Sequence, residues 1–318
     1  MLRNSILYFM EVARSGSMRS ASLALGVAQS AVSRQIQALE HEMGTALIER
    51  YPNGTRLTPA GQALFRSARV ASFRIERLRS EIDEALGVAT ARLKVAIVES
   101  VTSYAFARAM TAFQSESPAV SMAVSLGTSS DVVDWVMGDV ADFGVCLNAT
   151  PSRELEIVAG FPEPLFAVVP KGHVLQDRSR VALKDLVGQR LATSSTSTGV
   201  GRVLEEAAHR SGLDLRTVLE TNSLELIRQF VGGGSGLAVM TRQSCMAGLL
   251  ESDVSAVRLI DPHLGAVRST VIVAAGRQLP LAAERFMNRV IAELREVVGG
   301  PVGSGHTGSH DRDPANGP

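Results

Sequence analysis

Residues 17–49, SMRSASLALGVAQSAVSRQIQALEHEMGTALIE, predict two short helices joined by a tight turn. The first helix is expected over about 18–25, with Ser17 as its N-cap and Gly26 in the turn, because glycine adopts positive φ without strain. The second helix carries an apolar stripe at spacings of four, three and four residues. The stripe consists of Val32, Ile36, Leu39 and Met43. This arrangement predicts a helix-turn-helix.

Polar side chains lie off the apolar stripe of the second helix. They are Gln29, Ser30, Ser33, Arg34 and Gln37. Amides and hydroxyls match the donors and acceptors of base edges, and Arg binds guanine or phosphate, so these five residues are predicted to contact DNA. A hairpin is predicted over 51–57, where YPNGTRL has Pro, Asn and Gly in its turn. Its Thr55 and Arg56 are predicted to face the DNA backbone or minor groove.

The apolar positions of the flanking helices complete the predicted core of this domain. A helix over about 5–14 precedes the pair and is expected to end before Gly16. Its predicted inner face is Leu7, Phe9, Val12 and Ala13. For the helix over 18–25, the predicted inner face is Ala21, Leu25 and either Leu23 or Ala24.

The same segment carries a resemblance to a known family. AQSAVSRQIQALEHEMGTALIER at 28–50 and RLTPAG at 56–61 resemble the LysR-type transcriptional regulators, and the resemblance covers residues 1–296. The chain departs from the family pattern at Ala28 and Ser30, where many members have Ser and a nearby Pro, and at Asn53, where a basic residue is frequent. Ala28 has no side-chain acceptor for an N-cap, which costs about 1 kcal/mol of local stability.

Charge is sorted along the chain. The 318 residues carry a formal net charge of zero, but residues 1–80 contain eleven Arg, no Lys and five Glu, a net charge of +6. The remainder therefore carries −6. A basic N-terminal part followed by an acidic body is typical of a DNA-binding domain fused to a second domain, and a chain of this length predicts two or three domains.

Thr58 and Pro59 are predicted to start a long helix that ends at Gly87. Its apolar residues alternate spacings of four and three over three heptads, which predicts a coiled-coil seam between two chains. They are Leu64, Ala68, Ala71, Ile75, Leu78, Ile82 and Ala85. A single long helix packed on its own domain is the alternative. The unbroken heptad register and the flanking arginines favour the dimer.

Short β-branched runs alternate with helical stretches after Gly87, which predicts an α/β domain with a largely parallel sheet. The strands are expected at 93–98, 120–127, 141–147, 164–170, 190–195, 236–240 and 269–275. The helices are expected near 102–116, 129–138, 199–211, 223–231, 242–250 and 280–296. The family resemblance implies that this domain is two-lobed and similar to periplasmic binding proteins.

The predicted fold class is therefore α/β, with an N-terminal winged helix-turn-helix, a long dimerisation linker helix and a C-terminal two-lobed domain. The predicted boundaries are 1–57 for the DNA-binding domain, 58–87 for the coiled-coil linker and 88–298 for the effector-binding domain. By the resemblance, lobe one comprises 91–163 with 268–296, and lobe two comprises 164–267. The Gly- and Pro-rich tail at 299–318 is predicted to be disordered.

Hydroxyl-rich segments follow predicted strands and open predicted helices. Because α/β folds bind ligands at strand carboxyl ends and helix N-termini bind anions, these segments are predicted to hold a small organic acid. The family resemblance places them around one cleft. The predicted effector-binding residues are Ser100, Thr102, Ser103, Thr128, Ser129, Thr196, Thr198 and Ser223. Simple helix capping is the competing interpretation, since helix starts favour Ser and Thr.

Other chemistry has little support in the sequence. The run VGGGSGL at 231–237 lacks the third glycine of a dinucleotide fingerprint and the Lys of a P-loop, so a structural turn is favoured. No G-x-S-x-G motif occurs, and the six His residues form no i, i+4 pair outside the tail. Neither an enzyme, a metal nor a cofactor is therefore predicted. Cys146 and Cys245 form either a redox switch or, as is commoner, two inert buried thiols.

The predicted function is sequence-specific transcriptional regulation controlled by a small-molecule effector. The expected partners are double-stranded DNA, the effector and a second copy of the chain, and the resemblance implies a homodimer or homotetramer. A regulator whose C-terminal domain is only an oligomerisation scaffold is one alternative, and a solute-binding protein or small enzyme is another. Without a signal peptide or a membrane-spanning run, the protein is expected in the cytoplasm. Activation would require contact with RNA polymerase, for which no segment marks a surface.

Overall fold

The computed structural model describes residues 4–86, 92–249 and 253–299, which fall into two units. The first unit comprises Met1–Ile97, Met110–Ala159 and Thr270–Arg289, and the second comprises Val98–Ala109, Gly160–Ser269 and Val290–Pro318. Gly87, the predicted end of the long helix, lies outside the described residues. So does the predicted disordered tail from residue 300 onward.

Three helices and a hairpin form the N-terminal head of the first unit. They are α1 (Asn4–Ser15), α2 (Met18–Leu25), α3 (Gln29–Met43), β1 (Ile48–Tyr51) and β2 (Gly54–Leu57). The two strands pair antiparallel, as the predicted wing requires. Ser17 Oγ accepts a hydrogen bond from the Ser20 N–H at 3.0 Å, and Gly26 has a φ of 66°. Ala28 makes no side-chain cap to α3, as its chemistry predicts.

The head has its own apolar core, to which all three helices contribute. Its members are Phe9, Val12, Met18, Ala21, Val32, Ile36, Leu39, Leu47 and Ile48. Burial of each large aliphatic or aromatic side chain contributes about 1.5–3 kcal/mol. Four predicted core residues are exposed instead: Leu7 to 42%, Leu23 to 76%, Met43 to 44%, and also Ala24, which was the alternative to Leu23. Leu23 lies on the opposite face of α2 from Met18 and Ala21, and Met43 is the last residue of α3, beyond its buried stripe.

Helix α4 (Pro59–Ala85) begins where Thr58 and Pro59 predict. Thr58 Oγ1 caps it by accepting from the Gly61 N–H at 3.0 Å. Gly61 is required here, because a Cβ at this position would lie 2.0 Å from the Leu47 carbonyl oxygen. The predicted seam divides into two parts. Leu64 packs on the head core and Ala68 is buried, whereas Leu78 and Ile82 are 55% and 49% exposed.

The remainder of the first unit is built on a five-stranded sheet in the order β4-β3-β5-β13-β6. The strands are β3 (Arg92–Ile97), β4 (Ser121–Leu126), β5 (Phe143–Leu147), β6 (Leu155–Pro162) and β13 (Arg268–Ala274). Strand β3 runs parallel to β4 and β5. The associated helices are α7 (Ser129–Met137), α6 (Ala107–Glu116) from Met110 onward and α11 (Leu281–Gly299) up to Arg289. The ring of Phe286 on α11 packs in tilted arrangements against those of Phe113 on α6 and Phe143 on β5, with centroid distances of 5.1 and 5.9 Å.

The second unit contains a six-stranded sheet in the order β10-β9-β11-β7-β12-β8. The strands are β7 (Leu165–Pro170), β8 (Arg180–Val181), β9 (Leu191–Ser194), β10 (Thr217–Thr221), β11 (Leu237–Thr241) and β12 (Val254–Leu259). Its helices are α5 (Glu99–Val101), followed by a π-helical turn Thr102–Phe106, then α8 (Gly199–Ser211), α9 (Leu224–Gly232) and α10 (Arg242–Leu249). Strand β7 pairs antiparallel with both β11 and β12, so this sheet is mixed.

Four strands were not predicted from the sequence, namely β6, β8, β10 and β12. Three of them, β6, β8 and β10, lie at sheet edges. An edge strand is covered on fewer sides, so it lacks the continuous apolar run of a central strand. Among the described residues, no helix is long and apolar enough to cross a membrane.

Candidate functional site

Helix α3 presents its polar face to solvent. Gln29, Ser30, Arg34 and Gln37 are exposed and Ser33 is half-buried, while Val32, Ile36 and Leu39 are buried beneath them. The apolar stripe therefore fixes which side chains point outward. The orientation of these five residues is as predicted, and their contact with DNA stays a prediction.

Arg50 was missed by the sequence reasoning. Its Nη2 donates a hydrogen bond to Ser33 Oγ at 3.1 Å, which joins β1 to the exposed face of α3. Arg50 is exposed, so it adds a positive charge next to Ser33. The contact is formed by residues 17 positions apart, and no local spacing signals it.

The wing is held to the head by its main chain. The Thr55 N–H donates to the Gly16 carbonyl oxygen at 2.7 Å. A Cβ at Gly54, whose φ is 141°, would lie 2.5 Å from that same oxygen. Thr55 is half-buried and Arg56 is exposed, with the guanidinium of Arg56 stacked 5.3 Å from the Tyr51 ring centroid. Of the two predicted wing residues, Arg56 is therefore the one that is open to a nucleic-acid backbone.

Three of the hydroxyls predicted to bind an effector already cap helices. Thr128 accepts from the Asp131 N–H at 3.2 Å at the start of α7, and Thr198 accepts from the Gly201 N–H at 3.1 Å at the start of α8. Ser223 accepts from the Leu226 N–H at 3.4 Å at the start of α9. Ser129 Oγ accepts from the Leu147 N–H at 3.1 Å. The capping interpretation therefore holds for three helix starts.

Three of the predicted segments meet within the second unit. The Ser195 N–H donates to the Thr221 carbonyl oxygen at 3.0 Å, and the Leu224 N–H donates to Glu99 Oε2 at 3.1 Å. These bonds bring the segments containing Ser100, Thr198 and Ser223 together. Thr128 and Ser129 belong to the first unit.

The remaining predicted effector residues differ in accessibility. Ser100 is 9% exposed, and its Oγ is a buried atom without a hydrogen-bond partner among the described residues. Thr102 donates to the Glu99 carbonyl oxygen at 2.7 Å, and Thr196 is exposed in the loop between β9 and α8. The side chain of Ser103 lies outside what the structure describes.

Carboxylates occupy two of the helix starts, which the sequence reasoning did not foresee. Asp131 Oδ2 accepts from the Thr128 hydroxyl at 2.7 Å and from its N–H at 2.8 Å, and these hydrogen bonds lower the pKa of Asp131 below its ordinary value. Glu99 occupies the start of α9 in the same way. The first turn of α8 contains no acidic residue. A resident carboxylate satisfies N–H groups that an anionic ligand would need, and among these three helix starts only that of α8 has none.

The glycine-rich turn is structural, as its sequence favours. Gly234 has a φ of 71°, and a Cβ at Gly236 would lie 2.2 Å from the Arg190 carbonyl oxygen. That carbonyl accepts from the Leu237 N–H at 2.9 Å, which starts strand β11. Gly236 is thus needed for close approach of two main-chain segments.

Both cysteines are free and buried, one in each unit. Burial raises the pKa of the Cys146 thiol, with a smaller opposing effect from Thr270, and burial also raises the pKa of the Cys245 thiol. A raised pKa disfavours the reactive thiolate, which supports the interpretation of two inert thiols. Within the described part of the chain, no group of three or more His, Cys, Asp or Glu residues could hold a metal ion.

Two protein-family models match the chain. "LysR substrate binding domain" matches residues 87–295, and "Bacterial regulatory helix-turn-helix protein, lysR family" matches residues 4–62. The chain is 25% identical over 251 residues to the HTH-type transcriptional regulator CysL of Bacillus subtilis, covering 79% of this chain and 84% of that protein. It is 23% identical over 302 residues to the transcriptional activator CmpR of Synechocystis, covering 93% and 98%.

Solved structures share the fold. Full-length OxyR from Pseudomonas aeruginosa matches with a TM-score of 0.63 at 18% identity, covering 91% of this chain and 94% of that one. Full-length CbnR complexed with its target DNA matches with a TM-score of 0.52 at 21% identity, covering 92% and 100%. The CcmR regulatory domain of Synechocystis, in complex with 2-PG, matches with a TM-score of 0.56 at 19% identity, covering 64% and 96%. These matches confirm the predicted fold class of an N-terminal helix-turn-helix followed by a mixed α/β domain.

Proposed function

Because the chain belongs to the LysR family of DNA-binding transcriptional regulators with an effector-binding domain, we propose that it binds a palindromic operator as a homodimer and responds to a small organic acid. The family's curated relatives are regulators, and the chain is not an enzyme. The observation that carries the proposal is the polar face of α3, exposed above a buried apolar stripe. Its place of action is the cytoplasm, where DNA is accessible.

Helix α3 enters the major groove in this proposal. Gln29, Ser30, Ser33, Arg34 and Gln37 contact base edges or phosphates, and Thr55 and Arg56 of the wing contact the backbone or minor groove. Arg50 joins them, because it lies against Ser33 on the same surface. The solved complex of CbnR with its target DNA supports this mode of binding, since its chain shares the fold.

Replacing Arg34 by alanine should weaken specific DNA binding by about 1–3 kcal/mol, because Arg can form two hydrogen bonds to guanine. The measurement is a gel-retardation titration of the full chain on a DNA site selected from random sequence by the wild-type protein. Arg34→Lys distinguishes a contact with a base from a contact with a phosphate. A base contact is lost in both variants, whereas a phosphate contact is largely restored by lysine. Arg295→Ala, an exposed change far along the chain, is the matched control. Unchanged affinity in Arg34→Ala would remove α3 as the recognition helix.

Two copies of the chain would associate through the exposed part of α4, where Leu78 and Ile82 face solvent. Two-fold symmetry then requires a palindromic DNA site, with recognition helices about 34 Å apart or a multiple of it. The tetramer implied by the family resemblance rests on that resemblance and on no particular residue.

The effector carboxylate would bind at the start of α8. No acidic residue occupies the first turn of this helix, and Ser195, Thr196 and Thr198 surround it with hydroxyls. The structural neighbour CcmR binds 2-PG in its regulatory domain, which supports a small ligand in this kind of domain. Ser100, Thr102, Ser103, Thr128, Ser129 and Ser223 stay candidate contacts.

A bulky residue at Thr196 should abolish effector binding without unfolding the domain, because Thr196 is exposed in the loop before α8. Isothermal calorimetry with a panel of small organic acids should give heat for the wild type and none for Thr196→Trp. Val174→Trp, at another exposed position of the second unit, should bind as the wild type does. If an uncharged metabolite gave heat and none of the organic acids did, the proposal that the effector is a small organic acid would be contradicted.

An oligomerisation scaffold is the second candidate function, and the capping hydroxyls favour it. Thr128, Thr198 and Ser223 each have a sufficient structural role at a helix start. A scaffold would give no heat with any ligand, and replacement of Thr128 by a bulky residue would leave regulation in cells unchanged. A sensor carrying the same replacement would become unresponsive or constitutively active.

Regulation would act by population shift. An effector that prefers one arrangement of the protein increases the fraction in that arrangement. Reversing a 1:99 distribution requires the two arrangements to differ by about 5.5 kcal/mol in effector affinity. A few charge-assisted hydrogen bonds to a carboxylate, each about 1.5–3 kcal/mol, are sufficient.

A further inference from the structure

Asp139 joins three parts of the first unit. Its Oδ2 lies 2.6 Å from Nη2 of Arg14 at the end of α1, and its Oδ1 lies 3.2 Å from Nη2 of Arg69 on α4. The same Oδ1 lies 3.4 Å from Nη1 of Arg277, in the turn after β13. One carboxylate, located just after α7, therefore contacts the head, the long helix α4 and the part of the first unit that is built on the five-stranded sheet, called the sheet domain below.

The contact is sheltered from solvent. The side chain of Asp139 is 8% exposed, and those of Arg69 and Arg277 are 9% and 5% exposed. The buried ring of Phe73 lies between the two arginines, 4.4 Å from the guanidinium of Arg277 and 5.6 Å from that of Arg69. Charges held in an apolar environment interact more strongly than surface pairs and are screened less by salt.

The backbone at Asp139 restricts which residues can stand there. Its φ is 60°, in the left-handed region that most L residues rarely adopt and that Asp and Asn tolerate best after Gly. Asparagine therefore fits this position without backbone strain, and Asp139→Asn removes the charge while keeping the turn.

Asp139 is connected to helix α3 through α1, whose side chains pack against those of α3. Arg14 belongs to α1, whose Phe9 and Val12 pack in one core with Val32 and Ile36 of α3. Holding α1 at Arg14 and α4 at Arg69 therefore restrains the direction in which α3 presents its polar face. Arg14 itself is 35% exposed, so its removal leaves the buried part of the cluster in place.

We propose that Asp139 is a positioning residue for DNA binding, acting through Arg14 and Arg69 to hold the head in one orientation relative to the sheet domain of the same unit. This inference rests on the proposed DNA-binding function. It assigns Asp139 a role in the spacing between the two DNA half-sites, because two heads in fixed orientations fit one spacing best.

The test uses the full chain and the DNA site selected by the wild type, rebuilt with different distances between its half-sites. Asp139→Asn should lower the affinity for the best spacing about tenfold and reduce the preference among spacings, because preorganisation is lost. Asp142→Asn is the matched control, with the same charge change. Asp142 contacts Arg277 at 2.6 Å and the Lys94 N–H at 2.9 Å, both on the sheet domain. It should preserve the spacing preference.

Arg14→Ala keeps the test decisive if Asp139→Asn does not fold. It should reproduce part of the loss of spacing preference, and the double variant should be no worse than Asp139→Asn alone, since Arg14→Ala removes a contact that Asp139→Asn already removes. A general loss of folded protein would lower all affinities together and keep the preference. The inference is overturned if Arg14→Ala retains the wild-type spacing profile, if the two effects add, or if Asp142→Asn behaves like Asp139→Asn. If the wild type selects no DNA sequence, the proposed function itself fails.

Discussion

Replacing Leu78 and Ile82 together by serine should produce a folded monomer whose affinity for a DNA with two half-sites is about 10²–10⁴-fold lower. These two side chains are 55% and 49% exposed on α4, in heptad register with Ala71 and Ile75. Apolar side chains at such a spacing are stabilised when a second helix covers them. Without that pairing, each head binds alone and the gain from simultaneous binding is lost.

The oligomeric state of the variant is measured by size-exclusion chromatography with light scattering, and its DNA affinity by gel retardation. Affinity for a single half-site should be unchanged. Arg74→Ser with Asp83→Ser is the matched control, because both residues are exposed on the same helix and their joint replacement leaves the net charge unaltered. A serine variant of Leu78 and Ile82 that stays dimeric would show that the chains associate elsewhere.

Raising the salt concentration from 50 to 200 mM should lower the DNA affinity of the wild type by about a thousandfold or more. Each head exposes Arg19, Arg34, Arg50 and Arg56, so two heads can make at least six phosphate contacts. Each contact releases a counterion from the duplex, and the logarithm of affinity then falls with a slope of about −0.9 per contact.

The slope is measured by fluorescence anisotropy at several salt concentrations. Arg56→Ala should make it less steep by about 2 per dimer, if each wing contacts one phosphate. Arg295→Ala should leave it unaltered. A slope near zero for the wild type would contradict a binding mode dominated by these arginines.

Local sequence patterns were sufficient for the head and for most elements of the α/β domain. Ser17 and Gly26 mark the ends of α2 by capping and by positive φ, and the stripe of Val32, Ile36 and Leu39 fixes the buried face of α3. Both signals act within a few residues, so a single sequence contains them in full. The family resemblance supplied the identity of the second domain.

Features that depend on distant partners could not be predicted in this way. Glu99 accepts a hydrogen bond from Leu224 at the start of α9, 125 positions further along the chain. Arg14 and Asp139, which also contact each other, are likewise 125 positions apart. Strand β10 pairs along only one side, and its short polar sequence gives little signal of its own. The α4 seam reads as one uniform repeat, although its first half is covered by the head and its second half is not.

The main-chain bond from Thr55 to Gly16 ties the wing to the turn between α1 and α2, so the angle of the wing does not depend on exposed side chains. Substitutions on the outer surface of a small domain usually change its stability by less than about 0.5 kcal/mol. The residues that fold this domain and those that would choose its operator are therefore nearly separate sets. Descendants of the gene can acquire new target promoters while inheriting the same scaffold.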